Sequence, residues 1–295
     1  MNALLLAAGL GERLRPITER IPKPLLPIVN QQLIDIGIHY LLSSGIHAVG
    51  INLHQQHEVI QEHLEKYKEK VKIVVEPELL GTGGALLNFR EFLKDDFIVY
   101  SHDVVSDIRL QQVIEFHKKH KPVATLVLIR DRGIEFQVEK DNQITKMFRR
   151  DGYANTYAGI SIFSKEVFSF LPQKPVFSIV DVFKNILNKK EKIMGLPGKM
   201  QWYNINSPYS YWKIHHDLLN GLVSFEDLSF SKPIYIAHSS KVQTEALNGF
   251  VSINEDCIIA KGVYLENTIV LPKGRIGTGN YRNCVLGSRL RLTVA

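Results

Sequence analysis

The sequence has few of the residues and patterns that mark several classes of protein. Among its 295 residues are only two cysteines, Cys257 and Cys284. Two cysteines are too few for a disulfide framework or a cysteine zinc cluster, so we expect reduced thiols. No apolar run is long enough to span a bilayer, and no signal-peptide pattern precedes the first apolar residues. We therefore expect a cytoplasmic protein without a membrane partner.

Acidic residues are slightly outnumbered, with 30 Asp and Glu against 36 Lys and Arg, which gives a formal net charge of +6. Such a charge occurs in nucleic-acid-binding proteins, but lysines such as Lys66, Lys68, Lys70 and Lys72 have no interleaved aromatic platform. They are typical of solvated helix faces, so no nucleic-acid partner is predicted. A modest positive field would also attract polyphosphates.

The first apolar run, residues 3–8, is typical of a strand buried on both faces of a parallel sheet, and it stops at Gly9 and Gly11. Glycines after a buried strand allow backbone N–H groups to converge on an anion. Three cations follow: Arg13, Arg15 and Lys23. The residues alone therefore predict an anion site and no more, because dinucleotide-binding folds also place Gly-x-Gly after a strand.

Helical and strand patterns then alternate along the chain. The spacing of apolar residues predicts a helix over 31–44 and strands over 47–53, 72–75 and 97–100. We therefore predict an α/β fold, a Rossmann-like and mostly parallel sheet with helices on both faces, in a domain covering residues 1–228.

From about residue 231 the pattern changes to a six-residue recurrence, carried by Ile253, Ile259, Leu265 and Leu271. This period predicts a short left-handed parallel β-helix of hexapeptide repeats in a second domain, residues 229–295. Because so few coils cannot bury their own ends, we expect them to dock on the first domain or on a second subunit, which makes the tail a candidate surface for homo-oligomer formation.

The amino-terminal loop resembles the signature of the sugar-1-phosphate nucleotidylyltransferases. Residues 9–18 are Gly-Leu-Gly-Glu-Arg-Leu-Arg-Pro-Ile-Thr, and residues 22–27 are Pro-Lys-Pro-Leu-Leu-Pro. The resemblance implies an enzyme that transfers a nucleoside monophosphate from a nucleoside triphosphate to a sugar 1-phosphate and releases pyrophosphate. It implies catalytic roles for Arg13 and Lys23. It also implies a nucleotide-binding role for four residues at the turn: Ala7, Ala8, Gly9 and Gly11.

A second glycine-rich segment, residues 81–86, has the sequence Gly-Thr-Gly-Gly-Ala-Leu and follows Glu76. The family has a similar segment after an acidic residue and uses it to hold the nucleotide and its sugar. The resemblance therefore assigns Glu76, Gly81, Thr82 and Gly83 to nucleotide binding. The alternative is a purely structural pair of helix caps.

Asp103 follows the predicted strand 97–100 and so lies at the carboxyl end of a central strand, where the ligand crevice of such sheets lies. The resemblance makes Asp103 catalytic as a ligand of Mg²⁺, with His102 in place of the glycine that the family has. The family has an aspartate as the second metal ligand, and this chain has Asn204 at that position. Asparagine is a neutral and weaker ligand for Mg²⁺. We also interpret Asp107 as the cap of a helix that begins near Leu110.

At the sugar site the resemblance assigns Gly159, in a strand over 157–160, and Arg150, where the family has a lysine that contacts the sugar phosphate. Arginine can bind phosphate through two hydrogen bonds, so the cation is retained with a different geometry.

His102, Asn204 and the altered segment 149–151 favour a second hypothesis, a binding or regulatory protein that keeps the nucleotide-sugar pocket without efficient chemistry. The resemblance is strongest to the branch of mannose-1-phosphate guanylyltransferases and muramate-phosphate uridylyltransferases. The sequence names neither the base nor the sugar.

Overall fold

The computed structural model of the chain describes residues 1–226 and 228–294, and for Arg150 and Asp151 only the backbone is described. The chain divides into two compact units. The first comprises Met1–Leu10 and Gly37–Trp202, and the second comprises Gly11–Ile36 and Tyr203–Ala295. Both units are discontinuous in sequence, whereas the division at residue 228 treats each domain as one continuous segment and stays a prediction.

Six α-helices lie in the described residues: α1 (Leu33–Ser43), α2 (His57–Leu64), α3 (Gly81–Asn88), α4 (Leu110–His120), α5 (Ile179–Asn188) and α6 (Pro208–Leu219). The strands before α6 are β1 (Asn2–Leu6), β2 (Pro27–Ile28), β3 (Gln31–Gln32), β4 (Val49–Leu53), β5 (Val71–Val75), β6 (Phe97–Ser101), β7 (Val104–Ser106), β8 (Ala124–Val138), β9 (Ile144–Phe163), β10 (Ile193–Pro197) and β11 (Trp202–Asn204). Among these helices none is long and apolar enough to cross a membrane.

The first unit is built on a seven-stranded sheet in the order β10-β8-β9-β6-β1-β4-β5. The pairs β1–β4, β1–β6, β4–β5 and β10–β8 are parallel, whereas β9 is antiparallel to both β6 and β8. The prediction of an α/β fold with a mostly parallel sheet is therefore confirmed.

Strand β1 shows why an apolar run without alternation forms the centre of this sheet. Leu4 and Leu6 lie in the cluster formed with α3 and α5, while Leu5, on the opposite face, lies beside Gly37 of α1. Apolar side chains on both faces of β1 are thus covered by helices, so neither face favours a polar residue.

The strands of the antiparallel pair β8–β9 are long, with 15 residues in β8 and 20 in β9. Their register extends from Ala124↔Phe163 to Val138↔Ile144 and shifts at three places. Apolar periodicity does not indicate this length, because charged positions among residues 130–135 interrupt the apolar pattern.

In the second unit, residues 11–36 form three short 3-10 turns and the hairpin β2–β3, which is closed by a two-residue turn at Val29 and Asn30. Helix α6 begins with a capping box in which Ser207 and Ser210 exchange hydrogen bonds, with Pro208 at the first helical position. These features fix the start of α6 shortly after Asn204.

The carboxyl-terminal strands are β12 (Ile234–Ile236), β13 (Lys241–Val242), β14 (Leu247–Ile253), β15 (Ile258–Ile259), β16 (Val263–Val270), β17 (Arg275–Ile276), β18 (Gly279–Arg282), β19 (Cys284–Gly287) and β20 (Leu290–Thr293). Parallel partners are 16 to 18 residues apart, as in Ile269↔Val285, Ile258↔Arg275 and Leu247↔Leu265. The last strand, β20, instead pairs antiparallel with β19.

All four residues of the predicted six-residue series are buried: Ile253, Ile259, Leu265 and Leu271. The tail also contacts α6 through an aromatic side chain. Trp212 donates a hydrogen bond from Nε1 to the carbonyl oxygen of Asn267 over 2.8 Å, and its ring lies edge-on to that of Phe250 with centroids 5.3 Å apart. Within the second unit, the tail therefore packs on α6.

Candidate functional site

The backbone that follows β1 is held by a buried chain of hydrogen bonds in the first unit. The N–H of Ala7 donates to Oδ1 of Asn52 over 3.0 Å, and Nδ2 of Asn52 donates to Oε1 of Glu76 over 3.0 Å. Asn52 is a polar residue in the otherwise apolar strand β4, so its amide can bridge β1 to the residue after β5. These bonds fix the backbone shortly before Gly9.

Glu76 is 1% exposed. Its second carboxylate oxygen accepts a longer hydrogen bond of 3.4 Å from the N–H of Leu80, and its carbonyl oxygen accepts one from Nδ1 of His54 over 2.7 Å. The carboxylate thus connects the end of β1 to the segment that precedes α3. Its predicted contact with nucleotide stays a prediction, and the structure gives it a positioning role through Asn52.

The glycines of α3 approach backbone closely. A Cβ on Gly83 would lie 2.6 Å from the carbonyl oxygen of Ser178, and one on Gly81 would lie 2.6 Å from that of Phe177. The hydroxyl of Thr82 accepts a hydrogen bond from the N–H of Ile179 over 2.9 Å. Gly81, Thr82 and Gly83 therefore have a packing role against residues 177–179. This role is close to the alternative in which the glycine-rich segment is purely structural. The nucleotide contacts of these three residues stay predictions.

The two glycines of the amino-terminal turn differ in their surroundings. A Cβ on Gly9, in the first unit, would meet no atom within 4 Å among the described residues. Gly11, in the second unit, has a left-handed φ of 66°, and a Cβ there would lie 3.2 Å from Cβ of Lys23. Gly9 leaves open space beside the backbone, whereas Gly11 allows the loop to return close to Lys23.

The two predicted catalytic cations also differ. Lys23 begins a 3-10 turn and is only 8% exposed, whereas the side chain of Arg13 is exposed. The hydroxyl of Thr18 donates to the carbonyl oxygen of Gly11 over 2.8 Å, which ties the middle of the loop to its start. Arg13 is thus accessible to an anion, and Lys23 is held on a fixed part of the loop.

His102 is buried rather than projecting into open space. Its ring donates from Nδ1 to the carbonyl oxygen of Leu6 over 2.6 Å, and its backbone N–H donates to the same oxygen over 3.2 Å. Both bonds end on the last residue of β1, so the ring that replaces the family's glycine packs against β1. Asp103 follows it and is half-buried.

Asn204, in the second unit, ends β11 and is half-buried. Its side-chain oxygen Oδ1 is buried and has no hydrogen-bond partner among the residues that the structure describes. A buried amide oxygen without a partner is costly unless a ligand satisfies it. This oxygen is therefore suited to accept a hydrogen bond or to coordinate a cation.

At the predicted sugar site, Gly159 has a left-handed φ of 82°, and a Cβ there would lie 2.9 Å from Cγ2 of Val104. The glycine thus has a packing reason in the first unit, and its contact with sugar stays a prediction. The side chain of Arg150 lies outside the part of the chain that the structure describes.

The interpretation of Asp107 as a helix cap was wrong. Helix α4 begins at Leu110 as predicted, but its N-cap is Arg109, without a side-chain hydrogen bond. Asp107 instead accepts a hydrogen bond from the N–H of Gln201 over 2.8 Å and donates its own N–H to the carbonyl oxygen of Gln201. The local sequence pattern of a helix cap was misleading, because Asp107 bonds to a residue 94 positions away in the chain.

Sequence reasoning missed a charged cluster after β11. Asp217 is 4% exposed and accepts hydrogen bonds from the hydroxyl of Tyr203 over 2.6 Å, from Lys213 over 2.7 Å and from Nδ1 of His216 over 2.8 Å. The spacing of Lys213 and Asp217 on α6 was the available signal.

In the described residues, no group of three or more His, Cys, Asp or Glu side chains is arranged to hold a metal.

Comparison with known proteins identifies the family. The family model "Nucleotidyl transferase" matches residues 2–221. The chain belongs to this family. The match covers β1, the amino-terminal loop and α6, so it agrees with the resemblance that the loop signature indicates.

The chain is similar to two curated proteins over nearly its whole length. It is 22% identical to a UTP–glucose-1-phosphate uridylyltransferase of Synechocystis sp., covering 95% of this chain and 85% of that protein. It is 28% identical to mannose-1-phosphate guanylyltransferase 1 of Arabidopsis thaliana, covering 94% and 82%. The structure of HddC from Yersinia pseudotuberculosis complexed with GMP-PN shares the fold, with a TM-score of 0.60 at 23% identity over 72% of this chain and 97% of that one.

Proposed function

We propose that the protein transfers a nucleoside monophosphate from a nucleoside triphosphate to a sugar 1-phosphate and releases pyrophosphate. The family match and the transferase names of the similar proteins support this function. The observation that carries it at residue level is the loop of residues 11–27, in which a buried lysine lies beside a left-handed glycine. The names of the similar proteins favour guanylyl or uridylyl transfer.

In this reaction an oxygen of the sugar phosphate attacks the α-phosphorus in line, the new P–O bond forms, and the bond to the pyrophosphate oxygen breaks. Positioning and charge neutralisation supply most of the rate, because the reaction requires no covalent intermediate on the protein. We assign Gly9 and Gly11 to phosphate binding, Arg13 to the departing pyrophosphate, and Lys23 to the α-phosphate and the incoming sugar phosphate.

The other predicted binding residues complete the assignment. The nucleotide would lie against Ala7, Ala8, Glu76, Gly81, Thr82 and Gly83, and the sugar against Arg150 and Gly159. Of these, Glu76 would act by fixing Asn52 and, through it, the N–H of Ala7, since its carboxylate is committed to those contacts.

The residues present are compatible with Mg²⁺. Magnesium binds one or two protein oxygens together with substrate phosphates and waters. Asp103 offers a half-buried carboxylate, and Asn204 offers a buried amide oxygen that has no partner among the described residues. A bound ion would neutralise charge on the phosphates. Asp103 and Asn204 are the residues that would hold it.

We further propose that the strands from β12 onward form a short left-handed β-helix. Parallel partners that recur every 16 to 18 residues support a coil of about three six-residue faces. The tail is also the surface through which we expect a homo-oligomer to form, and we expect the protein in the cytoplasm.

Lys23→Ala tests the catalytic assignment. Pyrophosphate release with sugar 1-phosphates and the common nucleoside triphosphates should be lost, while the protein still folds and keeps a cooperative melting transition. Lys68→Ala, at an exposed lysine in an ion pair with Glu65, is the control for the loss of a lysine charge elsewhere and should retain full turnover. Near-normal turnover in Lys23→Ala would remove Lys23 from the chemistry.

Asn204→Asp tests the binding-only alternative. Turnover in the wild-type chain rejects that alternative, and turnover that appears only in Asn204→Asp supports it. The burial of His102 against β1 supports the enzyme rather than the alternative, because the ring has a structural place. A thermal-shift panel of triphosphates and sugar nucleotides with Mg²⁺ would identify the base and the sugar, since a ligand of the native state raises its stability.

A further inference from the structure

The loop that carries Lys23 ends in the hairpin β2–β3, and helix α6 holds this hairpin at two points. The hydroxyl of Tyr211 donates to the carbonyl oxygen of Pro27 over 2.9 Å. The N–H of Val29 donates to Nε2 of His215 over 3.0 Å. Tyr211 and His215 are four residues apart, on one face of α6, and both are completely buried.

The conformation of Val29 is unusual. Its φ is +57°, in the left-handed region that a β-branched residue rarely adopts, and its side chain is fully buried. A residue persists in such a conformation when its surroundings fix it. The hydrogen bond to His215 acts on the backbone N–H of this same residue, so it helps to hold the turn.

The ring of His215 is set up to accept this bond. Its Nδ1 lies 2.9 Å from the carbonyl oxygen of Tyr211, which can only accept, so Nδ1 carries the proton. In the neutral ring Nε2 is then an acceptor for the N–H of Val29. Burial keeps the ring neutral by lowering its pKa to about 4. Hydrogen bonds to the backbone of Tyr211 and Pro27 act in the opposite direction and raise the pKa, but burial has the larger effect.

The hairpin is joined to Lys23 by a short and stiff segment. The N–H of Leu26 donates to the carbonyl oxygen of Lys23 over 3.2 Å, and the N–H of Leu33 donates to that of Leu26 over 2.9 Å. Pro22, Pro24 and Pro27 fix φ along the segment. A displacement of the hairpin would therefore move Lys23.

We propose that Tyr211 and His215 are positioning residues for Lys23. They hold the carboxyl end of its loop through the carbonyl of Pro27 and the N–H of Val29. This role rests on the proposed function, because Lys23 acts in that reaction. The hydrogen bonds of Tyr211 and His215 can be tested without measuring turnover.

The test compares His215→Gln, His215→Phe and Tyr211→Phe with the wild-type chain. Phenylalanine removes the hydrogen-bonding atom, whereas the glutamine side chain still offers an acceptor oxygen. Ile214→Ala is the control, because Ile214 is a fully buried residue of the same helix that makes neither of these bonds. Three quantities are measured: kcat and KM, the melting temperature, and hydrogen exchange of the Val29 amide.

We expect His215→Phe and Tyr211→Phe to lower kcat at least about tenfold, because a small displacement of a reacting group costs rate. KM for the triphosphate should change less than kcat. His215→Gln should recover most of the lost kcat, and the Val29 amide should exchange faster in His215→Phe. Ile214→Ala should lower the melting temperature while kcat stays close to that of the wild type.

An unchanged exchange rate at Val29 in His215→Phe overturns the proposal, and so does a kcat loss in Ile214→Ala equal to that in His215→Phe. If instead the wild-type chain transfers no nucleotide, the proposed function fails. The exchange rate then decides by itself whether His215 holds the turn.

Discussion

Asn52 donates a hydrogen bond to the carboxylate of Glu76 over 3.0 Å, and both side chains are buried. Glu76→Ala would leave Nδ2 of Asn52 without its acceptor, so we expect a loss of about 1–3 kcal/mol in the free energy of unfolding. KM for the triphosphate should rise, because the N–H of Ala7 depends on Asn52. Denaturant titration and initial-rate kinetics measure these effects. The exposed Glu78→Ala is the control, and equal effects in the two variants would contradict the positioning role of Glu76.

The glycines should separate into structural and functional positions. Gly83→Ala places a Cβ 2.6 Å from the Ser178 carbonyl oxygen, so we expect a loss of about 1–3 kcal/mol in the free energy of unfolding. Gly9→Ala meets no described atom within 4 Å, so its melting temperature should stay unchanged while its turnover falls. Calorimetry and a pyrophosphate-release assay distinguish the two, and a stable Gly83→Ala protein would show that the 175–178 segment can move.

Acidification should destabilise the protein through His215. Burial lowers its pKa from 6.5 to about 4 in the folded state, so between these values the unfolded state binds more protons. The contribution of neutral His215 to the free energy of unfolding is complete above about pH 6.5 and is lost as the pH falls towards 4. From about pH 7.5 to about pH 5 we expect a loss of about 2 kcal/mol in the free energy of unfolding, measured by denaturant titration. His215→Gln should lose less over the same interval, and an equal loss would assign the effect to other groups.

The bond between α6 and the tail should be measurable by a single substitution. Trp212→Phe keeps a ring beside Phe250 but removes the hydrogen bond to Asn267, so we expect a loss of about 1–3 kcal/mol in the free energy of unfolding. Tyr209→Phe, at a side chain that is 53% exposed, should change little. If thermal unfolding is the same in both variants, this bond does not stabilise the tail.

Elements with a local signal could be predicted from the sequence. The strand over 97–100 is seen as Phe97–Ser101, and the strand over 72–75 as Val71–Val75. The six-residue series from Ile253 to Leu271 is buried within the tail. Apolar periodicity reports which face of an element is buried, and it does so without knowledge of the partner.

Contacts between distant residues could not be predicted in this way. Val29 and His215 are 186 residues apart, and nothing near Val29 indicates either its left-handed φ or its partner. The loop signature identified Lys23 as a candidate, whereas the side chains that hold its loop became apparent only from the folded chain. His102 was similar, because its ring packs on a strand that ends 96 residues earlier.

The antiparallel pairing of β20 with β19 limits how the tail can become longer. In the sheet order β19 lies between β16 and β20, so both of its edges are already hydrogen-bonded. An additional coil in parallel register therefore has no edge to join after β19, and it would have to be inserted earlier in the chain. Longer versions of this tail should thus differ by internal insertions of about one coil, with the antiparallel pair β19–β20 retained after the insertion.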